Sequence, residues 1–477
     1  MTASPSNPVV LDNGTHTWTA AALETAVAEF AAVLRAEGVR VLATLLDNSV
    51  AWVVADRAAE RVGAVHVPLP VFFVKEQIAR ALKASGADAL LVPDAMLWSP
   101  TPAQPCSVAG ESLALVRLPN PPVPMPEGTT KITFTSGTTG TPKGVCLRAP
   151  AIEGVAGGVV QALAPLRIRR HLCVLPFAVL LENIAGLNAS LLNGSTCIVV
   201  PLSQLGLTGS SGFDPAAFHA AVMRLGPDSI ILLPQMLRLW VGYLVATQQR
   251  APDGLSFVAV GGAPVGAGLL AASRALGIPA HEGYGLSEGA SVQTLNLPGA
   301  DLPGSAGRVL PHARVRISDT GEIEVSGSLF AGYLGDPQPV PGWFATGDLG
   351  RIDANGFLHV QGRRKNVLIT SFGRNVSPEW VEGALQEAGV GAAVVFGDGE
   401  PTLSAVLWPM NAALPDAALQ AAVDAANNTL PDYARVHRWV RATQPFNAAS
   451  GMATANGRPQ RAAIFQAHVE ALTSSAH

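Results

Sequence analysis

The segment from Thr133 to Gly144 has the composition of a phosphate-binding loop. It holds three glycines, five hydroxyl side chains between Thr135 and Thr141, and Lys143. Glycine lets backbone N–H groups turn toward an anion, the hydroxyls donate further hydrogen bonds, and lysine adds a positive charge. It is not a Walker A loop, because that motif needs Gly-Lys-Ser/Thr and Pro142 precedes Lys143 here. A flexible surface loop has the same composition, so this alternative stays open for the segment taken alone.

Four more short polar segments follow along the chain. They are Gly261–Pro264 (GGAP), Gly283–Glu288 (GYGLSE), Thr346–Asp348 (TGD) and Gly362–Arg363. With the phosphate loop, and in this order, they resemble the motifs of the adenylate-forming superfamily: acyl-CoA synthetases, luciferases and peptide-synthetase adenylation domains. The segment Leu175–Glu182 is similar to one in the long-chain acyl-CoA synthetase branch. The resemblance covers roughly residues 18 to 465.

The resemblance implies that ATP activates a carboxylic acid to an acyl-adenylate, with release of pyrophosphate. Two anions meet in such a reaction, so it needs charge neutralisation and positioning. The implied catalytic residues are Lys143, Glu288 and Arg458, and Glu288 is also the implied ligand of Mg²⁺, which prefers hard carboxylates. The implied nucleotide-binding residues are Thr135, Ser136, Gly137, Thr138, Thr139, Gly140, Lys143, Gly262, Ala263, Pro264, Gly283, Tyr284, Gly285, Ser287, Asp348 and Arg363.

Three of these residues have individual implied roles. Asp348 would accept the ribose hydroxyls, since a carboxylate offers several lone pairs. Tyr284 would stack on adenine, and Ser287 would hydrogen-bond the α-phosphate. A buried structural tyrosine and a helix-capping serine are the alternatives for the last two.

Lys365 stands two residues after Arg363, where the superfamily has its interdomain hinge. The resemblance implies a rotation about this hinge that exchanges an adenylating face for a thioester-forming face. Gly373 would then approach the thiol arm of coenzyme A. A carrier-protein thiol, an amine or an internal hydroxyl are alternative acceptors.

The sequence departs from the superfamily at its C-terminal catalytic lysine. In the matching segment, Thr454–Arg461, Arg458 occupies the lysine position, and no lysine follows Lys365. Arginine keeps the charge, but its planar fork prefers bidentate contacts and is not equivalent. Either Arg458 acts with altered geometry, which we favour, or the chain is a nucleotide-binding homologue with impaired adenylation.

An apolar run, Ala178–Leu181, indicates what kind of acid is bound. Val179 stands in this run where the long-chain branch has histidine. Together with Leu233, Pro234 and Met236, the run predicts a lipophilic pocket for a fatty or otherwise apolar acid. A buried core would have the same composition, so core packing remains an equal alternative.

The composition excludes several classes of protein. Hydrophobic residues make up 48% of the 477 residues and charged residues 14%, so we expect a large core and no extended disorder. The 31 basic and 35 acidic side chains leave no basic excess for nucleic-acid binding. Four cysteines without CxxC spacing argue against a zinc ribbon and fit a reducing compartment.

The termini and apolar stretches predict a cytoplasmic protein. The first Lys or Arg is Arg35, so we expect no secretory signal. The longest uncharged stretch, Asn183–Phe213, is interrupted by Asn, Gly and Pro, so we expect no transmembrane segment. Peripheral membrane contact is the minor alternative.

Short apolar runs that alternate with helical stretches must position these motifs. The runs are 41–46, 64–69, 89–92, 173–177, 197–201, 229–234 and 257–262. Residues 19–37 predict a helix capped by Thr19. The alternation predicts an α/β fold. We expect a large N-terminal domain of stacked mixed sheets with flanking helices (residues 1–362) and a small mobile α+β C-terminal domain (residues 363–477).

Overall fold

A computed structural model describes residues 7–93, 103–135, 143–209, 212–336, 338–372, 374–454 and 457–473. Its helices are α1 (Ala20–Ala36), α2 (Val50–Val62), α3 (Lys75–Ser85), α4 (Ala149–Leu163), α5 (Ala189–Leu192), α6 (Pro215–Leu225), α7 (Pro234–Thr247), α8 (Ala267–Ala275), α9 (Pro378–Glu387), α10 (Asp416–Thr429) and α11 (Arg461–Thr473). A π-helical segment, Leu181–Asn188, leads into α5.

The strands begin before α1 and end after α10. In chain order they are β1 (Val9–Asp12), β2 (Thr17–Thr19), β3 (Val41–Thr44), β4 (Val65–Pro68), β5 (Ala89–Pro93), β6 (Ala103–Val108), β7 (Glu111–Arg117), β8 (Thr129–Thr135), β9 (Lys143–Arg148), β10 (Arg170–Leu172), β11 (Thr196–Ile198), β12 (Leu207–Thr208), β13 (Gly212–Phe213), β14 (Ser229–Leu232), β15 (Phe257–Val260), β16 (Ala280–Leu286), β17 (Ser291–Leu295), β18 (Arg308–Val309), β19 (Ala313–Ile317), β20 (Glu322–Gly327), β21 (Gly332–Tyr333), β22 (Phe344–Ile352), β23 (Leu358–Arg363), β24 (Leu368–Ile369), β25 (Asn375–Val376), β26 (Val390–Phe396), β27 (Leu403–Pro409) and β28 (Val436–Arg441).

Two large mixed sheets dominate the described N-terminal part of the chain. One has nine strands in the order β18-β17-β16-β15-β14-β10-β11-β1-β2, with parallel pairing from β16 to β1. The other has eight strands in the order β21-β9-β8-β4-β3-β5-β7-β6. A third sheet of four antiparallel strands, β19-β20-β22-β23, leads toward the C-terminal part.

Helices α1 and α2 lie between the two large sheets. The Thr19 hydroxyl caps α1 as predicted, and Phe30 and Leu34 are buried on its inner face. The hydrophobic core around α1 and α2 also contains Leu42 of the eight-stranded sheet and Cys197 of the nine-stranded sheet. Helices α6 and α7 cover the outer face of the nine-stranded sheet, and α3 covers that of the eight-stranded sheet. The result is a stack of alternating helical and sheet layers.

The predicted strand at 173–177 is wrong. Strand β10 ends at Leu172, and the N–H groups of Val174 and Leu175 donate to the carboxylate of Glu182, at 2.9 and 2.8 Å. The buried Glu182 carboxylate thus accepts the backbone hydrogen bonds that a strand at this position would donate to a neighbouring strand. The other predicted runs each contain a strand.

The C-terminal part folds as the expected small α+β unit. Strands β26, β27 and β28 form its sheet, with α9 and α10 on one face and α11 on the other. The boundary between residues 362 and 363 stays a prediction.

One helical stretch among the described residues, Ala149–Leu166, is long and apolar enough to cross a membrane by length and composition. It comprises α4 and the short turn after it. Its buried residues, among them Val155 and Val159, pack in the protein core.

Candidate active site

The predicted motifs converge on one cavity of about 1830 Å³. Its walls come from the start of β9, the loop after β15, strand β16, and the adjacent ends of β22 and β23. The predicted residues that line it are Lys143, Gly262, Ala263, Pro264, Gly283, Tyr284, Gly285, Ser287, Glu288, Arg363 and Arg458. The GGAP and GYGLSE segments meet there because the parallel strands β15 and β16 run toward the same edge of the nine-stranded sheet, and the other walls come from the two other sheets.

Tyr284, Asp348 and Arg363 form a hydrogen-bonded group at the wall of this cavity. The Tyr284 hydroxyl donates to Asp348 Oδ2 at 2.7 Å, and Arg363 Nε pairs with Asp348 Oδ1 at 2.8 Å. Burial raises the pKa of Asp348, and Arg363 and Tyr284 oppose that rise. Asp348 lies behind the other two residues and does not itself line the cavity. Each carboxylate oxygen keeps a second lone pair with which it can accept another donor.

Glu288 and Lys143 both interact with Tyr333, a residue that the motif analysis did not include. The Tyr333 hydroxyl donates to Glu288 Oε1 at 2.7 Å. Lys143 Nζ lies 5.0 Å from the centre of the Tyr333 ring. Burial, together with the charge of Glu288, raises the pKa of the Tyr333 hydroxyl, so it stays a donor. The tyrosine positions one carboxylate and one ammonium at the same wall.

Seven Lys and Arg side chains line the cavity, and four of them lie within electrostatic range of one another around Lys365 at its charged end. These four are Lys143, Arg363, Lys365 and Arg458. Burial lowers the pKa of Lys365, and so do the charges of Arg363, Arg458 and Lys143. Burial and Arg363 likewise lower the pKa of Arg458, while Asp348 and Glu288 oppose this. These couplings place all four cations within electrostatic range of one another, opposite two carboxylates.

Two hydrogen bonds with Thr454 hold the backbone of Arg458. Its N–H donates to the Thr454 hydroxyl at 3.2 Å, and its carbonyl accepts from the Thr454 N–H at 2.8 Å. Arg458 thus brings a cationic side chain of the C-terminal part to the wall of the cavity. The motif match alone located this residue, since nothing in its local composition predicts that it lines the cavity.

The glycines of GYGLSE are required by packing. A Cβ on Gly285 would collide with the backbone carbonyl of Ser291 on the antiparallel strand β17. A Cβ on Gly283 would lie 2.9 Å from Thr294 O. This close pairing of β16 and β17 is a sufficient reason for both glycines, whatever ligand binds.

Some predicted residues lie outside the described ranges. These are Ser136, Gly137, Thr138, Thr139, Gly140 and Gly373. Within the phosphate-loop segment Thr133–Gly144, Thr135 is the last residue of β8 and Lys143 is the first residue of β9.

Glu282 is a site-proximal acid that the sequence analysis missed. It precedes GYGLSE, is 9% exposed, and accepts a hydrogen bond from the Val265 N–H at 3.2 Å. Burial, with the charge of Glu387 on α9, raises its pKa to about 7. The local sequence gives no sign of this burial, because a glutamate between His281 and Gly283 is expected to be exposed to solvent.

The cavity continues into an apolar region lined by the predicted acyl-pocket residues. These are Val179, Leu180, Leu181, Leu233, Pro234 and Met236. Further along, α4 contributes Val159, Val160 and Leu163, and β15 contributes Phe257. The arrangement joins a charged cleft to an apolar channel in one continuous space.

Comparison with known proteins identifies the class. The AMP-binding enzyme family model matches residues 1–334 of the 477, and the model of the AMP-binding enzyme C-terminal domain matches residues 365–474. The chain therefore belongs to the AMP-binding enzyme family, which is the adenylate-forming superfamily in its acyl-CoA synthetase branch.

Two curated relatives and one solved structure illustrate the similarity. A long-chain-fatty-acid–CoA ligase of Mycobacterium bovis is 40% identical over 158 residues, which is 31% of this chain but only 26% of that relative. The chain thus matches about a quarter of the length of the first curated relatives. A feruloyl-CoA synthase of an Amycolatopsis species is 30% identical over 434 residues, 83% of this chain and 84% of the relative.

The O-succinylbenzoate coenzyme A synthetase of Bacillus subtilis, solved in complex with AMP, has a similar fold. Its TM-score is 0.75 at 23% identity, over 96% of this chain and 95% of that one. This likeness confirms the predicted fold class, with a large sheet-rich N-terminal domain and a smaller C-terminal domain.

Proposed function

We propose that this chain is an AMP-forming acid–thiol ligase, most simply an acyl-CoA synthetase. In the first step a carboxylate oxygen attacks the α-phosphorus of ATP, and the bond from that phosphorus to the leaving pyrophosphate breaks. In the second step the thiol sulfur of coenzyme A attacks the acyl carbon, the carbon–oxygen bond breaks, AMP leaves, and the thiol proton is released. The observation that carries this proposal is the convergence of four cations at the charged end of an apolar channel.

The residues at the charged end fit a nucleotide triphosphate. Lys143, Lys365 and Arg458 offer positive charge for phosphate oxygens, and arginine in particular suits bidentate contacts. The hydrogen-bonded group of Asp348, Arg363 and Tyr284 supports a site for the ribose and the adenine, with Arg363 and Tyr284 at the cavity wall and Asp348 behind them. The implied roles of Ser287 and of the phosphate loop extend the same proposal.

Glu288 fits a magnesium site. Its Oε1 is held by Tyr333, which fixes the carboxylate and leaves Oε2 for a hard cation. The bound ion would neutralise phosphate charge and orient the triphosphate.

The channel fits an apolar acid. The walls that α4, the π-helical segment and β15 provide carry aliphatic and aromatic side chains. A fatty or aryl acid would place its carboxylate at the cations and its apolar part in the channel, because burial of apolar surface is favourable by about 25 cal/mol per Å².

A nucleotide-binding homologue without turnover is the second candidate. One specific observation favours it: arginine replaces the superfamily's C-terminal lysine, and the chain has no later lysine. Against it stands the position of Arg458 inside the cavity, where its charge faces Glu288 and Asp348.

Exchange of radiolabelled pyrophosphate into ATP, in the presence of a panel of acids, tests the adenylation step. We expect exchange with apolar acids and not with amino acids. Thioester formation with free coenzyme A then tests the acceptor, against a phosphopantetheinylated carrier protein as the alternative. Nucleotide binding without exchange for any acid would favour the non-catalytic candidate and contradict our proposal.

A further inference from the structure

A hydrogen-bonded polar pair lies in the wall of the apolar channel. His171 of β10 and Ser229, the first residue of β14, are paired in register on neighbouring parallel strands, and both line the cavity. The Ser229 hydroxyl lies 2.8 Å from His171 Nδ1. Both side chains are buried, and burial of a polar group costs free energy unless its atoms are hydrogen-bonded. The partners of this pair therefore decide what the wall offers to a ligand.

Glu182 fixes the direction of the hydrogen bonds. Its Oε2 accepts from the backbone N–H groups of Val174 and Leu175, and its Oε1 lies 2.9 Å from His171 Nε2. Since Glu182 is an acceptor, His171 carries its ring proton on Nε2, and Nδ1 is then an acceptor as well. The Ser229 hydroxyl consequently donates its single hydrogen to Nδ1.

Gly186 makes room for the contact between Glu182 and His171. A Cβ at this position of the π-helical segment would collide with Glu182 Oε1 and would lie 2.9 Å from His171 Nε2. Any larger residue would push the carboxylate away from the imidazole. Single π-helical turns occur frequently at functional sites. The segment thus packs closely around this hydrogen-bonded pair and holds the imidazole in one orientation.

The Ser229 oxygen keeps lone pairs with which it can accept a hydrogen bond. Its own hydrogen is used on His171, and none of the described residues donates to this oxygen. Ser229 is paired in register with Phe257, which also lines the channel. A hydrogen-bond acceptor in an apolar wall favours a ligand that brings a donor to it and disfavours the analogue that lacks one.

The position of Ser229 along its strand indicates where that donor lies in the acid. The GGAP segment at the charged end follows the carboxyl end of β15, whereas Ser229 stands at the amino end of the parallel strand β14. The four residues of β14 span about 13 Å, so an extended acid of about eight to twelve carbons reaches from the charged end to Ser229.

We propose that Ser229 recognises a hydroxyl group at the far end of the acid, which makes the substrate a hydroxy acid of medium length. This inference rests on the proposed function, because it names the acid that the same channel binds. The hydroxyl donates to Ser229 Oγ, and the apolar walls hold the carbons between that hydroxyl and the carboxylate. Ser229 determines specificity, whereas His171 and Glu182 position its hydroxyl.

Two acids of equal length test the acceptor. The measured quantity is the ratio of kcat/KM for 10-hydroxydecanoic acid to that for undecanoic acid, in which a methyl group replaces the hydroxyl. We expect Ser229→Ala to lower this ratio at least about fivefold, since one hydrogen bond is lost. Ser273→Ala is the matched control, because Ser273 is also a buried serine but lies outside the cavity. An equal ratio in Ser229→Ala and the unaltered chain would overturn the inference, and the ratio does not depend on how much of a variant is folded.

An ether tests the positioning role of His171. 10-Methoxydecanoic acid can accept but cannot donate, so in the unaltered chain Ser229 should give it no advantage over dodecanoic acid, its hydrocarbon counterpart. In His171→Gln the amide can still reach Glu182, but the hydrogen of Ser229 is released. We therefore expect this variant to raise the ratio of kcat/KM for the ether to that for dodecanoic acid by about threefold or more. An unchanged ratio would contradict the positioning role of His171.

The same assays separate this inference from the proposed function. If the unaltered chain activates undecanoic acid, the proposed function stands whatever Ser229→Ala shows. If it activates neither undecanoic acid nor 10-hydroxydecanoic acid, the proposed function fails, and the inference about Ser229 fails with it.

Discussion

Arg458 is the residue on which we expect turnover to depend most directly. It brings a positive charge from the C-terminal part into a cavity that also holds Lys143 and Lys365. A guanidinium can contact two phosphate oxygens at once, whereas an ammonium acts as a point charge. Lys365 supplies such a point charge close to Arg458. The chain thus keeps both kinds of cation, although neither is the superfamily's C-terminal lysine.

Replacement of Arg458 should separate adenylation from folding. We expect Arg458→Ala to lower pyrophosphate exchange by about a hundredfold or more, since one group that stabilises developing charge is removed. Arg458→Lys should stay within about tenfold of the unaltered chain. Arg351→Ala is the matched control, because Arg351 is an exposed arginine outside the cavity. Normal exchange in Arg458→Ala would show that we have assigned the wrong residue.

Glu288 and Tyr333 should act together on magnesium. We expect Glu288→Gln to cause a large loss of exchange, and Tyr333→Phe to raise the magnesium concentration needed for half-maximal exchange, because the carboxylate loses its orienting hydrogen bond. A magnesium titration of exchange measures both effects. Near-normal turnover of Glu288→Gln at low magnesium would count against the metal role.

A buried ionic network joins the elements around the active site. Lys131 on β8 pairs with Asp56 of α2 at 2.9 Å and donates to Asn183 Oδ1 of the π-helical segment at 2.6 Å. Asp56 Oδ1 also lies 2.6 Å from Nδ1 of His66. Burial alone would raise the pKa of Asp56, but Lys131 and His66 hold it well below its usual range. The strand that precedes the phosphate loop is thereby tied to the segment that lines the acyl channel.

Removal of Lys131 should destabilise the fold strongly. We expect Lys131→Met to cost about 3–5 kcal/mol of unfolding free energy, because Asp56 would remain buried without its cationic partner. Adding Asp56→Asn should recover part of this loss. Urea denaturation measures it, with Lys83→Met as an exposed lysine control. Equal midpoints for Lys131→Met and Lys83→Met would contradict the network's role.

Glu282 should make stability depend on pH. Its folded pKa is raised from 4.5 to about 7, so the native state holds a proton that the unfolded state has lost. Stability therefore falls as the pH rises through that window, by on the order of 3 kcal/mol. Glu282→Gln should abolish this part of the fall, as measured by urea denaturation at about pH 5 and about pH 8.5. Parallel pH profiles for both proteins would contradict the burial of the acid.

The local pattern of apolar residues predicted most of the strands. Where the prediction failed, contacts with distant segments of the chain are the reason. The runs at 41–46 and 229–234 contain strands because parallel strands buried on both faces read as continuous apolar runs. The run at 173–177 looks the same, but Glu182 captures its backbone donors. Lys131 and Glu282 were missed because their burial comes from distant segments. Arg458 was predicted only because it occupies the lysine position of the C-terminal motif that the chain shares with the superfamily.

At the scale of the whole molecule, charge couples the two parts of the chain. The four coupled cations at the charged end of the cavity repel one another, and an anionic ligand between them would relieve that repulsion. Arg364 beyond β23 also pairs with Glu322 of β20 at 2.6 Å, and Arg238 of α7 donates to Gln386 O of α9 at 3.4 Å. We therefore expect a bound triphosphate to favour this arrangement of the two parts.

Salt should weaken this coupling. We expect the thermal stabilisation that ATP gives to fall as sodium chloride rises, because the attraction between the cations and the phosphates is partly screened. Differential scanning fluorimetry with ATP and with adenosine measures it, and adenosine is the uncharged control. Equal salt dependence for the two ligands would argue against phosphate contacts by these cations.

Isothermal titration calorimetry of the full chain with ATP and with AMP, each with and without magnesium, tests the central claim most directly. The cleft of Lys143, Arg363 and Arg458 predicts one nucleotide per chain, with binding of ATP weakened at least about tenfold in Arg458→Ala and unchanged in Arg351→Ala. An absence of binding to either nucleotide, in both the presence and the absence of magnesium, would contradict the account.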